Sequence, residues 1–168
     1  MEPVAALLSK KSSAPVKIVM TRKEVFEGTG PTSGTFMRCK IGADKEGYIK
    51  AAQIYMAYEA GAYPGSPVSG GAFPALGAYK IDNLLVDGYD VVVNKPKTQS
   101  YRAPGQPQSA HAVETVIDEL AEKLGVDPME FRLKNAVQEG DISPTGLPHS
   151  RFGCVEVEEA MKAHPHYN

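Results

Sequence analysis

The run Tyr101-Arg102-Ala103-Pro104-Gly105-Gln106-Pro107-Gln108 sets one arginine among a phenol, two amides and the backbone-constraining residues Pro and Gly. That is more specific chemistry than a spacer requires. A guanidinium on a Gly/Pro turn that feeds a helix places its donors, and nearby backbone N–H groups, where an anion or an oxo group can sit. The plain alternative is a surface charge or an ion-pair partner. Gln106 and Gln108 are able to donate to and accept from a heterocycle, or simply to be solvated. Elsewhere the residues form no complete catalytic set. His111 has no Ser or Cys nucleophile with an orienting acid beside it in sequence, and His164 and His166 flank Pro165 in a tail with no evident means of ordering itself. Glu114, Asp118, Glu119 and Glu122 read as a solvated helix face, with Glu114 near enough to the loop to anchor it. P-loop, dinucleotide-binding and nucleophile-elbow patterns are missing from the sequence.

The elements that must position this loop fall on either side of it. We divide residues 1–168 as one module with a β-rich part over 16–94, the loop over 95–108 and a helical part over 109–163. Val4, Leu7 and Leu8 have helical spacing, Val16 to Met20 reads as a short strand, and Thr21-Arg22-Lys23-Glu24 has the spacing of a capping box. Phe36 to Ile41 alternates, with Met37, Cys39 and Ile41 on one face; a turn at Asp44-Lys45-Glu46-Gly47 and an extended run from Tyr48 to Tyr58 complete a hairpin. Cys39 falls on the apolar face and reads as a buried, inert thiol.

Gly61 to Gly77 is rich in Gly and Pro. It reads equally as a loop passing close to another backbone or ligand and as an ordinary surface connection. Leu84 to Val93 reads as a further strand, with Gly88 as a bulge. Val113, Val116, Ile117, Leu120 and Leu124 then mark a long amphipathic helix ended by Gly125. Asp127-Pro128-Met129-Glu130 starts another with an N-cap, Pro at N1 and Glu at N3, and Val155 to Met161 is a last short helix. The expected class is α+β, a mixed or antiparallel sheet with packed helices.

Composition narrows the function. The chain has 168 residues, 42% of them apolar and 23% charged, which is ordinary for a folded domain. A net charge of −2 without a basic stripe argues against a nucleic-acid partner. Two separated cysteines, Cys39 and Cys154, suggest neither a zinc site nor a disulfide framework, and a reducing cytoplasm is expected. The longest uncharged run, Gly61 to Tyr79, is broken by Pro and Gly, so no membrane span is expected.

Four stretches together resemble the large, molybdopterin-binding subunit of the xanthine dehydrogenase, aldehyde oxidase and carbon monoxide dehydrogenase family. They are Glu2-Pro3-Val4-Ala5-Ala6-Leu7-Leu8 with Pro15 to Arg22, Ala78-Tyr79-Lys80-Ile81, Tyr101 to Gln108, and Asp118-Glu119-Leu120-Ala121 with Phe131-Arg132-Leu133-Lys134-Asn135; Glu139-Gly140-Asp141 follows. The resemblance implies a module binding the molybdenum-molybdopterin cofactor, with iron-sulfur clusters and FAD on partner domains or subunits. It implies oxidation of a small substrate such as an aldehyde or N-heterocycle. Tyr101, Arg102, Ala103, Pro104, Gly105, Gln106 and Gln108 are the cofactor-facing residues carried over, and the loop is similar to the Phe-Arg-Gly-Phe-Gly loop of xanthine dehydrogenases.

Departures narrow this further. Pro104 replaces the aromatic that stacks on a purine, Gly70 and Gly71 lie where a purine-orienting Arg would be expected, and Ala103 stands where copper-containing enzymes have Cys. Neither a purine substrate nor a copper-bridged site is expected. The family's Gly-rich GGGFGGK segment and its general-base Glu have no counterpart within 1–168. The expectation is therefore one wall of a pocket, inactive alone and completed by the rest of the large subunit. A non-catalytic module that keeps the fold and docks to a partner is the alternative, and the two differ in which chains co-purify.

Overall fold

A computed structural model describes every residue except Pro144 and Asn168. Its elements run α1 (Glu2–Ser12), α2 (Arg22–Gly28), β1 (Thr35–Ala43), β2 (Ile49–Gly61), α3 (Val68–Ala72), β3 (Asn83–Val92), α4 (Gln106–Leu124), α5 (Pro128–Asn135) and α6 (Cys154–Lys162). The chain divides into two compact units, Met1–Pro31 and Thr32–Asn168, where the sequence suggests one module. In the first, α2 starts at a capping box in which Thr21 and Glu24 each bond the other's backbone N–H. Val16 to Met20 is not a strand: the segment pairs with no other among the described residues, and β-branched residues alone do not make a ladder.

The second unit is built on a three-stranded mixed sheet of order β1-β2-β3. β1 and β2 form the expected antiparallel hairpin, and β3 pairs parallel to β2. A parallel pair cannot be joined by a tight turn, and residues 62–82 supply the crossover. Part of what reads as a Gly/Pro loop is therefore the helix α3. Asp90 on β3 pins the start of the crossover by accepting from the N–H groups of Gly65 (2.7 Å) and Ser66 (2.8 Å), and these bonds with Ser66 and Gly65 hold its carboxyl below the usual range. Gly88 is not a bulge, since it pairs in register with Met56. A Cβ there would meet the Val68 side chain at 2.9 Å, so the glycine lets α3 lie on the sheet.

Alternation in β2 turns Ala52, Ile54, Met56 and Tyr58 to one face, and all four are buried. Against them α4 presents Ser109, Val113, Ile117 and Ala121 at four-residue spacing, and Phe131 of α5 closes the core. Burying side chains of this size contributes roughly 1.5–3 kcal/mol each. Cys39 lies half-buried on the inner face of β1, and burial raises its thiol to about 11, so it is inert as expected.

Two polar clusters lock the helices to this core. Asn135 is buried; its Oδ1 accepts from Ile49 N (2.8 Å) and its Nδ2 donates to the carbonyls of Gly47 (2.9 Å) and Phe131 (2.8 Å). Glu114 does not anchor the loop. It accepts from the Tyr79 hydroxyl (2.8 Å) and from Arg132 (2.8 Å), while Arg132 also donates to Asp118 (2.7 Å). Burial works against the charge on Arg132, but the Asp118 and Glu114 carboxylates outweigh it and keep the guanidinium above its ordinary value. α6 adds Glu158, whose Oε2 is buried without a hydrogen-bond partner among the described residues. The tail is also ordered: Tyr167 donates to Asp127, which caps α5 by accepting from Met129 N and Glu130 N.

Asn135→Ala is expected to strand a buried donor and a buried acceptor and to cost about 2–4 kcal/mol, measured by urea denaturation. Burial pushes the Glu158 carboxyl above the usual carboxylate range, so the folded state holds that proton more tightly than the unfolded chain. Its contribution is full below the ordinary glutamate pKa and is lost as pH rises through the raised value. Glu158→Gln should thus gain stability relative to the parent as pH rises above the ordinary glutamate value of about 4.3, measured by denaturation at acid and neutral pH.

Candidate functional site

Residues 95–105 connect β3 to α4 as a strap tied at both ends. At its start, Lys95 pairs with Glu59 at 2.7 Å, Lys97 donates to the Gly65 carbonyl at 2.7 Å, and Thr98 bonds the Ala60 carbonyl through its N–H (3.0 Å) and its hydroxyl (3.2 Å). All three are therefore spent on holding the strap to the end of β2. At its end the strap meets α3. A Cβ on Gly105 would collide with the Pro67 carbonyl oxygen and stand 2.7 Å from Gly71 N, and Gly105 has φ +90°, a region other residues rarely adopt. A Cβ on Gly71 would in turn collide with the Tyr58 hydroxyl. The Tyr58 hydroxyl donates to the Gly105 carbonyl at 2.7 Å, and burial raises its pKa, so it keeps that proton.

Of the two readings the sequence leaves open for Gly61 to Gly77, backbone-to-backbone close approach is the one the structure supports. Sequence reasoning misses Tyr58 as a loop-holding residue. A signal was present, because a tyrosine in an inward-facing register needs a partner for its hydroxyl.

Between the ties, the residues expected to face a cofactor separate into two groups. Tyr101 and Gln108 turn to each other: the phenol donates to Gln108 Oε1 at 2.5 Å, and Gln108 Nε2 reaches the Ser33 carbonyl at 3.4 Å. The Tyr101 hydroxyl also accepts from Gly105 N at 3.4 Å. Gly105 is buried and Pro104 half-buried, with its carbonyl against Gly70. Arg102, Ala103 and Gln106 are exposed, and among the described residues neither the Arg102 guanidinium nor the Gln106 amide makes a hydrogen bond or ion pair. Gln106 and Gln108 belong to the first turn of α4 and not to the loop.

Ala103 has φ 55°, a left-handed conformation that costs a non-glycine residue roughly 1–2 kcal/mol. That turn is what throws Arg102 outward just before the N-terminus of α4. Groups of three or more His, Cys, Asp or Glu suited to hold a metal do not occur among the described residues. The outward donors are N–H groups of a guanidinium and an amide beside a helix N-terminus, which suit anionic or oxo oxygens rather than a metal ion directly.

The sequence profile of the molybdopterin cofactor-binding domain family matches residues 1–136. The chain is 33% identical over 161 residues to the nicotinate dehydrogenase large molybdopterin subunit of Eubacterium barkeri, covering 94% of this chain and 38% of that protein. It is 33% identical over 167 residues to the xanthine dehydrogenase molybdenum-binding subunit of Escherichia coli, covering 92% and 22%. Among solved structures, the aldehyde oxidoreductase from Desulfovibrio gigas superposes with a TM-score of 0.79 at 30% identity, over 96% of this chain and 18% of that one. Quinoline 2-oxidoreductase from Pseudomonas putida 86 gives 0.80 at 26% identity, over 96% and 22%. The chain thus spans between 18% and 38% of the length of these relatives.

Tyr58→Phe is expected to cost about 0.5–1.5 kcal/mol and to speed amide exchange around Gly105 to Ser109. Hydrogen-exchange mass spectrometry with a parallel urea melt checks both; unchanged exchange there would mean that the hydroxyl does not hold the strap.

Proposed function

The chain belongs to the molybdopterin cofactor-binding domain family, and on that premise we propose that it forms one wall of the molybdenum-molybdopterin pocket of a molybdenum hydroxylase large subunit. The wall is the strap and first turn of α4, Tyr101 to Gln108. The observation that supports it best is the exposed Arg102 guanidinium, presented by the left-handed turn at Ala103 and engaged by nothing else among the described residues. Arg102 and Gln106 bind and orient oxygen atoms of the cofactor. Tyr101, Gln108, Gly105 and Tyr58 fix the backbone that carries them, so the donors are in place before the ligand arrives and little ordering entropy is lost on binding. The bound group supplies the redox chemistry by which an aldehyde, an N-heterocycle or a similar small substrate is oxidised. Pro104, half-buried with its carbonyl against Gly70, offers no flat ring for stacking on a purine.

The proton-abstracting carboxylate is contributed by another part of the subunit. The chain alone therefore folds, retains cofactor poorly and turns over no substrate. The remaining large subunit and subunits carrying iron-sulfur clusters and flavin are its partners, in the cytoplasm. Among the described residues no helix is long and apolar enough to cross a membrane.

Arg102→Met should leave unfolding stability within about 0.5 kcal/mol of the parent, as for a surface change that breaks no internal bond. In the assembled subunit it should lower molybdopterin retention about tenfold or more, tenfold corresponding to about 1.4 kcal/mol. Molybdenum analysis and pterin fluorescence of the purified assembly read this out. Unchanged retention overturns the role of Arg102; stoichiometric molybdenum with aldehyde turnover in the isolated chain overturns the partial-pocket reading.

A further inference from the structure

The two edges of the sheet are not alike. β1 carries Arg38 and Lys40 on its outward face and shifts register between Gly42 and Ala43, the charges and irregularity by which an edge strand avoids adding another strand. β3, with the sequence Asn-Leu-Leu-Val-Asp-Gly-Tyr-Asp-Val-Val, has neither Lys nor Pro, and its pairing with β2 runs regularly from Asn83 to Val91. One of its two acidic residues, Asp90, is spent on Gly65 and Ser66.

β3 also carries apolar residues on both faces, with Asp87 between Leu85 and Tyr89 on the outer one. Leu84 and Val86 point inward to the core, while Leu85 and Tyr89 point outward and are each 50% exposed. Strands with apolar residues on both faces belong inside sheets covered on both sides, above all parallel ones. Beside β3 on the inner face lies an open apolar groove of about 440 Å³ between it and α3, lined by Val68, Ala72, Phe73, Leu84, Val86 and Gly88. Phe73 overhangs it, 65% exposed. On the outer face Tyr89 continues a row of packed rings, 5.1 Å from Tyr55, which is itself 6.2 Å from Phe36.

We infer that β3 is an interior strand of a larger sheet, its open edge paired by a strand from the part of the large subunit that lies outside the segment matched by this chain. The length argues for that occupant, because the chain covers 18% of the aldehyde oxidoreductase it superposes on and 22% of the quinoline 2-oxidoreductase. The surroundings specify its chemistry. Side chains on one face of the added strand enter the groove under Phe73, and those on the other lie beside Leu85 and Tyr89, so the strand is apolar on both faces. The inference rests on the chain working as a segment of a larger subunit, but not on Arg102 or on the cofactor.

The test is a chimaera in which this chain replaces its matched segment in the Desulfovibrio gigas aldehyde oxidoreductase, compared with this chain alone by hydrogen-exchange mass spectrometry. Amides of Leu84 to Val92 should exchange at least tenfold more slowly in the chimaera. Leu85→Lys, at a half-exposed position outside the row of rings, should abolish that slowing while leaving the melting of the isolated chain intact. Equal exchange in the two contexts overturns the inference, as does a chimaera that fails to assemble, because the segment then cannot take that place in the sheet. Concentration-dependent protection of the isolated chain, with dimers in sedimentation and no further slowing in the chimaera, assigns the edge to a second copy and overturns it too. Cofactor retention that depends on Arg102 while exchange at β3 is unchanged sinks this inference alone and leaves the proposed pocket wall standing.

Discussion

The strap and α3 approach each other more closely than any side chain would allow, and the geometry of the site depends on that seam. Gly105 faces the Pro67 carbonyl and Gly71 N, Gly70 faces the Pro104 carbonyl, and the Tyr58 hydroxyl fills the space beside Gly71 while donating to the Gly105 carbonyl. Backbone packed on backbone leaves few rotamers to relax, so the seam transmits the position of the sheet directly to the start of α4. Because the hydroxyl that completes it lies on β2, the outward turn at Ala103 and the direction of Arg102 are set from the centre of the core. Local strain at Ala103 persists because both sides of the turn are held: Lys95, Lys97 and Thr98 before it, Gly105 after it.

The family stretches divide by task. Tyr79 and Arg132 meet on Glu114, Lys80 pairs with Asp141 at 2.6 Å, and Asn135 bonds the hairpin turn and the start of β2. These groups are consumed within the fold, joining the crossover, the sheet and two helices. The exposed part of the strap is different, because its guanidinium and amide are left facing outward. Most polar groups in these stretches satisfy one another, while Arg102, like Arg38 and Arg151 on the surface, has no partner among the described residues.

The two edges of the sheet differ. Arg38 and Lys40 guard one edge, whereas β3 has no cation and carries Leu84 and Val86 on one face and Leu85 and Tyr89, flanking Asp87, on the other, beside an open groove. The proposed pocket wall and the inferred strand partner both depend on a larger subunit, and the chain spans 18% and 22% of the two solved relatives it superposes on.

The sequence by itself determined what depends on neighbours a few residues apart. The capping box at Thr21, the N-cap at Asp127, the apolar stripe from Val113 and the alternation of the β1–β2 hairpin are visible because short-range geometry has fixed periods. The order of residues from Tyr101 to Gln108 also carried the resemblance to the family's loop. Only the tertiary structure decided partners across long separations. Val16 to Met20 has strand-like composition but no strand to pair with, because pairing is a property of two segments and not of one. Gly88, read as a bulge, and Gly105, read as part of a constrained loop, are places where another element comes close, and at Gly71 the structure selects the close-approach reading from the two the sequence left open. Glu114, seemingly a neighbour of the loop, faces Tyr79 and Arg132 instead, and Gln108 bonds to Tyr101 and to the Ser33 carbonyl, partners that chain order does not reveal. Chain order constrains which residues are near in sequence; burial and hydrogen-bond satisfaction in the folded core select which of them face one another.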